Sequence, residues 1–300
     1  MYVFNKTSIG YNHIKENKCC QDFSSSYSDL ERTIITCCDG HGGNIYFRSN
    51  IGSKFASDAI MNVFKNITPY DTRKFNQDEY LETIKINILC EWNRMVETHL
   101  AKYKLTKKEL LKLNENEFHK LLSNTYKAYG STMMGALLIG NKALVVKLGD
   151  GEVALVHKND VIYPFQDDDE PVGNITNSLC EEDAYDHIKI KVFDFNKIDG
   201  IMMCTDGMIN PYQNYNNFTN SMVKPLIKGL NSNGNLSTIN LFVDTVGLKL
   251  GIGDDVSLSF IIKNKKESKI ESKIKKGYTY AISDFYKEMY DSKWSNKKSI

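Results

Sequence analysis

The sequence predicts an α+β domain built as a four-layer α-β-β-α sandwich, two mostly antiparallel sheets face to face with helix pairs outside. Three observations predict it. Short β-branched and apolar runs come in blocks instead of alternating strictly with helices. Two long segments in the first half carry apolar residues at helical spacing. Several apolar runs stop abruptly at an aspartate, usually next to a glycine.

The elements follow in order. Thr33-Ile34-Ile35-Thr36-Cys37-Cys38 reads as a buried strand that delivers the polar turn Asp39-Gly40-His41-Gly42-Gly43. Ile51, Phe55, Ala59, Val63 and Phe64 then recur at helical spacing. A second helix carries Leu81, Ile84, Ile88, Trp92, Met95 and His99 on one stripe. Thr106-Lys107-Lys108-Glu109 is a capping box, and it opens a third helical stretch toward Tyr126. Ser131 to Leu138, Ala143 to Leu148, Val153 to His157 and Val161 to Tyr163 read as a β-meander. Its second turn is Gly149-Asp150-Gly151. A polar loop runs from Asp167 through Asp183, and Ile188 to Phe195 alternates as a strand. Gly200 to Cys204 is a buried strand ending in Thr205-Asp206-Gly207. An Asn- and Tyr-rich loop, Asn210 to Asn220, follows. Ile239 to Leu250 reads as helix, and Gly251-Ile252-Gly253-Asp254-Asp255 feeds the last strand, Val256 to Ile262.

Composition excludes several classes. The chain has 300 residues, 41% hydrophobic and 25% charged, the balance of a folded globular protein. Lys and Arg number 38 against 37 Asp and Glu, a net charge of +1. That balance supplies no global field for gripping nucleic acid or an anionic membrane, and neither is expected as a partner. No apolar run approaches the ~20 residues of a membrane helix. The start, Met1-Tyr2-Val3-Phe4-Asn5-Lys6, lacks the layout of a signal peptide, so a cytoplasmic location is expected. The seven cysteines include the adjacent pairs Cys19-Cys20 and Cys37-Cys38, and no C-x-x-C spacing occurs. Reduced, mostly buried thiols are expected, not a zinc site. From Lys263 to Lys276 there are seven Lys against two Glu, and aromatics follow to the end. The chain is therefore read as a domain over 1–262 and a lysine-rich linker and tail over 263–300.

The aspartates carry the chemistry. Asp39, Asp150, Asp206 and Asp254 each sit beside glycine at the mouth of a strand, and Asp22 follows a short segment near the start. One Asp-Gly pair is ordinary turn chemistry. Four or five at converging strand ends are better explained by a hard divalent cation such as Mg²⁺ or Mn²⁺, which takes oxygen ligands and offsets their mutual repulsion.

At Asp39-Gly40-His41-Gly42-Gly43 the sequence resembles the metal-dependent protein phosphatases of the protein phosphatase 2C family. Further motifs fall in order. They are Gln21-Asp22, Tyr129-Gly130-Ser131-Thr132, Leu148-Gly149-Asp150-Gly151, Cys204-Thr205-Asp206-Gly207-Met208 and Gly253-Asp254-Asp255-Val256-Ser257. The resemblance spans Ile9 to Ile262 and is strongest to a bacterial-type subgroup.

The resemblance implies two Mn²⁺ or Mg²⁺ ions at one edge of the sandwich. It implies that Asp39 bridges them, that the Gly40 carbonyl joins one, and that Asp206 and Asp254 complete the other. Asp22 would bind directly or through water. In the family a third metal is held by the Asp150 position and an acid that is Asn210 here. The implied reaction is hydrolysis of phosphoserine or phosphothreonine by attack of a water bridging the metals. His41 is the implied proton donor to the leaving oxygen. A phosphorylated protein is the implied substrate, a Ser/Thr kinase the implied signalling counterpart, and a monomer the expected state. Two departures stand out. Gln21 replaces an acid, and the family's phosphate-binding arginine is absent, with Asn17 near its place. His13 or Lys18 is expected to take over that role. The alternatives are a phosphatase-like module that binds a phosphoprotein or kinase through the loop Gln166 to Asp183, and a small-molecule phosphatase.

Overall fold

The computed structural model of the chain describes residues 1–158, 160–166 and 176–264. The lysine-rich stretch from 265 onward, the aromatic tail, and positions 167–175 of the loop between Gln166 and Asp183 lie outside the described residues. Ten strands are present among those described: β1 (Tyr2–Ser8), β2 (Phe23–Ser28), β3 (Arg32–Cys38), β4 (Met133–Ile139), β5 (Lys142–Leu148), β6 (Glu152–His157), β7 (Asp160–Ile162), β8 (Lys189–Asp194), β9 (Gly200–Cys204) and β10 (Val256–Ile262). They form two five-stranded sheets, β1-β10-β9-β6-β7 and β2-β3-β4-β5-β8. Every pairing within them is antiparallel.

Alternation along the strands builds the layers. Successive side chains point to opposite faces, so Ile34 joins the core under the first helices while Ile35 joins the core between the sheets. Met202 and Met203 divide the same way across the other sheet, as do Phe260 and Ile261. With both faces covered, these strands read as continuous apolar runs. The rule also separates Cys37 from Cys38, which lie buried on opposite faces. Three cores therefore separate four layers.

The helices are α1 (Tyr11–Lys15), α2 (Ser49–Lys65), α3 (Asp78–Lys102), α4 (Lys107–Leu110), α5 (Glu115–Ser123), α6 (Ala184–His187), α7 (Asp206–Ile209), α8 (Tyr215–Phe218), α9 (Lys224–Asn233) and α10 (Leu236–Thr245). α2 and α3 cover the β2–β8 sheet through Ala56, Ile60, Phe64, Ile88 and Trp92. Trp92 Nε1 donates to the Gly52 carbonyl at 3.1 Å, and a Cβ on Gly52 would fall 1.9 Å from the Tyr129 oxygen. That glycine is what lets α2 press against the segment leading into β4. α10 and the turns around Phe218 and Met222 cover the other sheet.

The structure changes four readings. Tyr2–Ser8 forms a strand that sequence patterning passes over; its half-polar side chains suit pairing along one edge of β10. The meander is split: β4 and β5 pair in one sheet, β6 and β7 in the other, and Gly149-Asp150-Gly151 carries the chain across. The third helical stretch is broken into α4, α5 and a 3₁₀ turn over Thr125–Tyr129, each with its own cap. The loop Asn210 to Asn220 contains α8, capped when Asn214 accepts from the Asn217 N–H at 2.9 Å. No described helix is long and apolar enough to cross a membrane.

Candidate active site

Antiparallel pairing gathers the aspartates. Phe23 pairs with Cys38, so the residues before β2 and after β3, Asp22 and Asp39, reach the same edge. Cys204 pairs with both Leu258 and Glu152, so Asp206 after β9 meets Asp254 and Asp255 before β10 and Asp150 before β6. Three of the five expected ligands thus precede strands and two follow them. A cleft of about 200 Å³ opens at this edge, lined by His13, Gln21, Asp39, Gly40, His41, Gly42, Asp150, Thr176, Asp206, Asp254 and Asp255.

Each motif has a local job. The Ser131-Thr132 pair holds the backbone of Asp39. Thr132 N–H and Ser131 Oγ donate to the Asp39 carbonyl at 2.8 and 2.9 Å, and Asp39 N–H donates to Thr132 Oγ1 at 3.0 Å. Gly40 passes where a Cβ would stand 2.5 Å from the Gln21 oxygen and 2.7 Å from the Ser49 oxygen, so no side chain fits. Asp206 opens α7, and Asn210 Nδ2 donates to its Oδ2 at 2.8 Å. Asp150 accepts from Thr176 Oγ1 at 2.5 Å. Gln21 turns its amide away from the carboxylates, donating to the His41 carbonyl at 3.2 Å and Ser49 Oγ at 2.5 Å.

One expected ligand and two expected phosphate contacts need comment. Asp22 is buried behind the cleft and does not line it; Thr205 Oγ1 donates to its Oδ2 at 2.8 Å. Lys18 is not brought to the cleft. The chain turns through a left-handed Asn17, φ 56°, and the half-exposed lysine pairs with Glu16 at 2.7 Å. His13 does reach the cleft, with Nδ1 2.9 Å from Asp255 Oδ2. Asp255 is the residue sequence reasoning undervalued. It also accepts from the Gly10 and Gln21 N–H groups at 2.7 and 2.6 Å, so one carboxylate ties three segments together. Its signal in the sequence is the doubled Asp254-Asp255. Thr205 lies within the Thr205-Asp206-Gly207 motif but carries no expected role in the sequence, and no motif points to Thr176.

Electrostatically the site is strained. Burial raises the carboxyl of Asp39 well above the usual range, and the charges of Asp22 and Asp206 add to it. Burial and Asp255 raise Asp22; burial and Asp150 raise Asp206; burial and Asp206 raise Asp254. Burial lowers His41, outweighing the carboxylates near it. Among the described residues, Asp39, Asp150, Asp206 and Asp254 pair with no Lys or Arg. No three His, Cys, Asp or Glu side chains there are already closed into a metal cage. An all-oxygen, uncompensated donor set around an open cleft fits a hard cation that keeps several waters, not one fully ligated by protein.

The family model described as Protein phosphatase 2C matches residues 9–241, which include every expected ligand except Asp254. No curated protein matches the sequence. Solved structures resemble the fold at low identity. A bacterial serine phosphatase is 15% identical with a TM-score of 0.58, covering 89% of this chain and 100% of its own. The serine/threonine phosphatase Stp1 from Staphylococcus aureus is 15% identical with a TM-score of 0.57, covering 89% and 96%. PppA, a key regulatory component of T6SS in Pseudomonas aeruginosa, is 12% identical with a TM-score of 0.55, covering 86% and 96%.

Proposed function

Because the chain belongs to the protein phosphatase 2C family, we propose that it is a divalent-metal-dependent phosphatase of phosphoserine and phosphothreonine in proteins. The observation that carries the reading is the convergence of Asp39, Asp150, Asp206 and Asp254 on one cleft with no Lys or Arg pairing to them among the described residues. A phosphomonoester dianion would be repelled by that cleft unless cations neutralised it.

Asp39, Asp206 and Asp254, with the Gly40 carbonyl, would hold two Mn²⁺ or Mg²⁺ ions, Asp22 would act directly or through water, and Asp150 would serve a third. Bound there, the cations would screen the phosphoryl oxygens and ease loss of a proton from water in the cleft. The chain does the rest. Ser131 and Thr132 fix the Asp39 backbone, so its carboxylate is presented without reorganisation. Asp22 lies behind, where its carboxyl accepts from Thr205 Oγ1 next to Asp206. His41 lies beside the cleft with a ring that burial makes readier to give up a proton, which suits donation to a departing serine or threonine oxygen. His13, which lines the cleft, would take the role of a phosphate-binding arginine. The cytoplasm and a signalling role opposite a Ser/Thr kinase are the matching setting, with the domain closing at residue 262.

A second reading has its own observation. Asn210 gives Asp206 an amide instead of a carboxylate, and Gln21 spends its amide on His41 and Ser49. Both remove negative charge from the site, and a weak or inactive phosphoprotein-binding module would result. Titrating Mn²⁺ into EDTA-stripped protein with p-nitrophenyl phosphate separates the two. The phosphatase shows saturable, Mn²⁺-dependent hydrolysis; the module binds Mn²⁺ with no turnover of this ester or of phosphopeptides.

A further inference from the structure

A histidine that passes a proton works only while its ring is aimed. A hydrogen bond on the nitrogen it does not use is the ordinary way to aim it. The chain has six histidines. Five of them have a polar partner: His13 on Asp255, His99 on the Tyr129 hydroxyl, His119 on Glu115, His157 on the Lys197 carbonyl and His187 on Asp183. His41, which lines the cleft, is the exception. Among the described residues neither of its ring nitrogens makes a hydrogen bond or an ion pair, and neither is sealed from solvent.

The backbone of His41 is fixed on both sides. Its N–H donates to the Gly130 carbonyl at 3.1 Å, and its carbonyl accepts from Gln21 Nε2 at 3.2 Å. Rotation about the side-chain bonds is what remains, and packing limits it. The Tyr46 ring stands against the imidazole, with centroids 5.1 Å apart and planes at 65°. A Cβ on Gly130 would fall 2.5 Å from Tyr46 Cδ1 and 2.8 Å from His41 Cδ2, so both rings rest on the backbone of that glycine. Gly42 and Gly43 follow His41 with no side chain to brace it. Tyr46 is itself held. It closes a 3₁₀ turn over Asn44–Tyr46, donates its N–H to the Gly43 carbonyl at 3.3 Å, and packs with Ile45 and Phe47 on the core under the first helices. Two residues on, Arg48 N–H donates to the Ala128 carbonyl at 2.8 Å. The Tyr46 hydroxyl makes no hydrogen bond among the described residues, so the flat ring is what this residue contributes.

We propose that Tyr46 is a positioning residue: its ring, with Gly130 behind it, holds the His41 imidazole toward the cleft, where the ester oxygen departs. The inference rests on the phosphatase reading. Its consequence depends on the leaving group. As the P–O bond of phosphothreonine breaks, the bonding pair stays on the threonine oxygen, which takes a proton from His41 and leaves the ring neutral. p-Nitrophenolate is a stable anion and departs without that proton. Misaiming the ring therefore slows the first ester more than the second.

The test measures kcat for a phosphothreonine peptide and for p-nitrophenyl phosphate, on the full chain with saturating Mn²⁺, and takes their ratio. Tyr46→Leu keeps most of the apolar volume and removes the ring. The ratio is expected to fall about fivefold or more, the scale of one edge-to-face pair. Tyr46→Phe is expected to keep it within about twofold of wild type. His41→Ala is expected to lower it as well. Adding Tyr46→Leu to His41→Ala is then expected to change it by less than about twofold, since no ring is left to aim. The ratio is internal to each protein, so a variant of reduced overall activity still reports. A ratio that Tyr46→Leu leaves intact overturns the proposal. So does an equal fall in the His41→Ala background, which a purely structural role or a direct contact with substrate would give. Tyr46→Phe failing as badly as Tyr46→Leu overturns it too. A ratio unmoved by His41→Ala leaves no donor to position, so it overturns the proposal and leaves the phosphatase reading standing. Absence of turnover of either ester by wild type removes both readings together.

Discussion

Asp206 and its neighbour Asn210 set the charge of the site. The Asn210 amide donates to Asp206 at 2.8 Å, so an aspartate there would replace a donor with a like charge and add one oxygen ligand. Asn210→Asp is expected to lower the melting temperature of the metal-free protein and to raise its Mn²⁺ affinity by about tenfold, read by calorimetric titration. Asp255 acts differently. It takes two backbone N–H groups and the His13 ring, so Asp255→Ala would leave buried donors without acceptors. A loss of about 2–4 kcal/mol in urea unfolding is expected, with Asp255→Asn retaining more than half of it. Asp39 and Asp206 were legible in the sequence because each sits in a contiguous Asp-Gly turn after an apolar run. Asp255 was not, because its role depends on Gly10, His13 and Gln21, more than two hundred residues away in the chain. Lys18 misled for a related reason: charge is visible in a sequence, but the left-handed turn at Asn17 that points it elsewhere is not.

At the scale of elements, the helical segment between α3 and β4 is fastened to the start of α2 by one buried cation. Arg48 donates to Glu109 at 2.8 and 3.1 Å, to the Tyr103 and Lys104 carbonyls, and to the Tyr129 hydroxyl. Burial alone would raise Glu109, but the hydrogen bonds from Arg48 and Thr106 hold it at about 2. A carboxylate depressed in the folded state stabilises fully above its ordinary value of 4.5, and that stability is lost as pH falls toward 2. Glu109→Gln is therefore expected to cost about 1–2 kcal/mol at pH 7, and the gap from wild type should close on acidification, followed by chemical denaturation. The capping box that announced α4 was readable because its Thr106 and Glu109 are local. The split of β5 and β6 between sheets was not, since Gly149-Asp150-Gly151 looks the same in a hairpin as in a crossing. Only the facing cores, Val145 and Val153 in one layer, decide it.

For the whole molecule, a net charge of +1 conceals a concentrated acidic edge. Asp22, Asp39, Asp206 and Asp254 are all raised, by burial first and by neighbouring aspartates, Asp150 and Asp255 among them, second. Raised carboxylates favour the folded state at low pH and cost stability as pH climbs through their folded values. Metal-free protein is thus expected to lose melting temperature between mildly acid and neutral pH. Mn²⁺ at about a hundred times its dissociation constant should restore about 3 kcal/mol, or ~5–10 °C, with a larger gain at pH 8 than at pH 5, measured by differential scanning fluorimetry.

The central claim is that converging aspartates, and not a thiol or a lone histidine, make this edge a phosphatase. Its most direct test is the rate of phosphothreonine-peptide hydrolysis by wild type and by Asp206→Ala, each with saturating Mn²⁺ and again with EDTA. Turnover by wild type is expected only with Mn²⁺, with a fall of about a thousandfold or more in the variant. Turnover that survives EDTA, or that Asp206→Ala leaves intact, would contradict it.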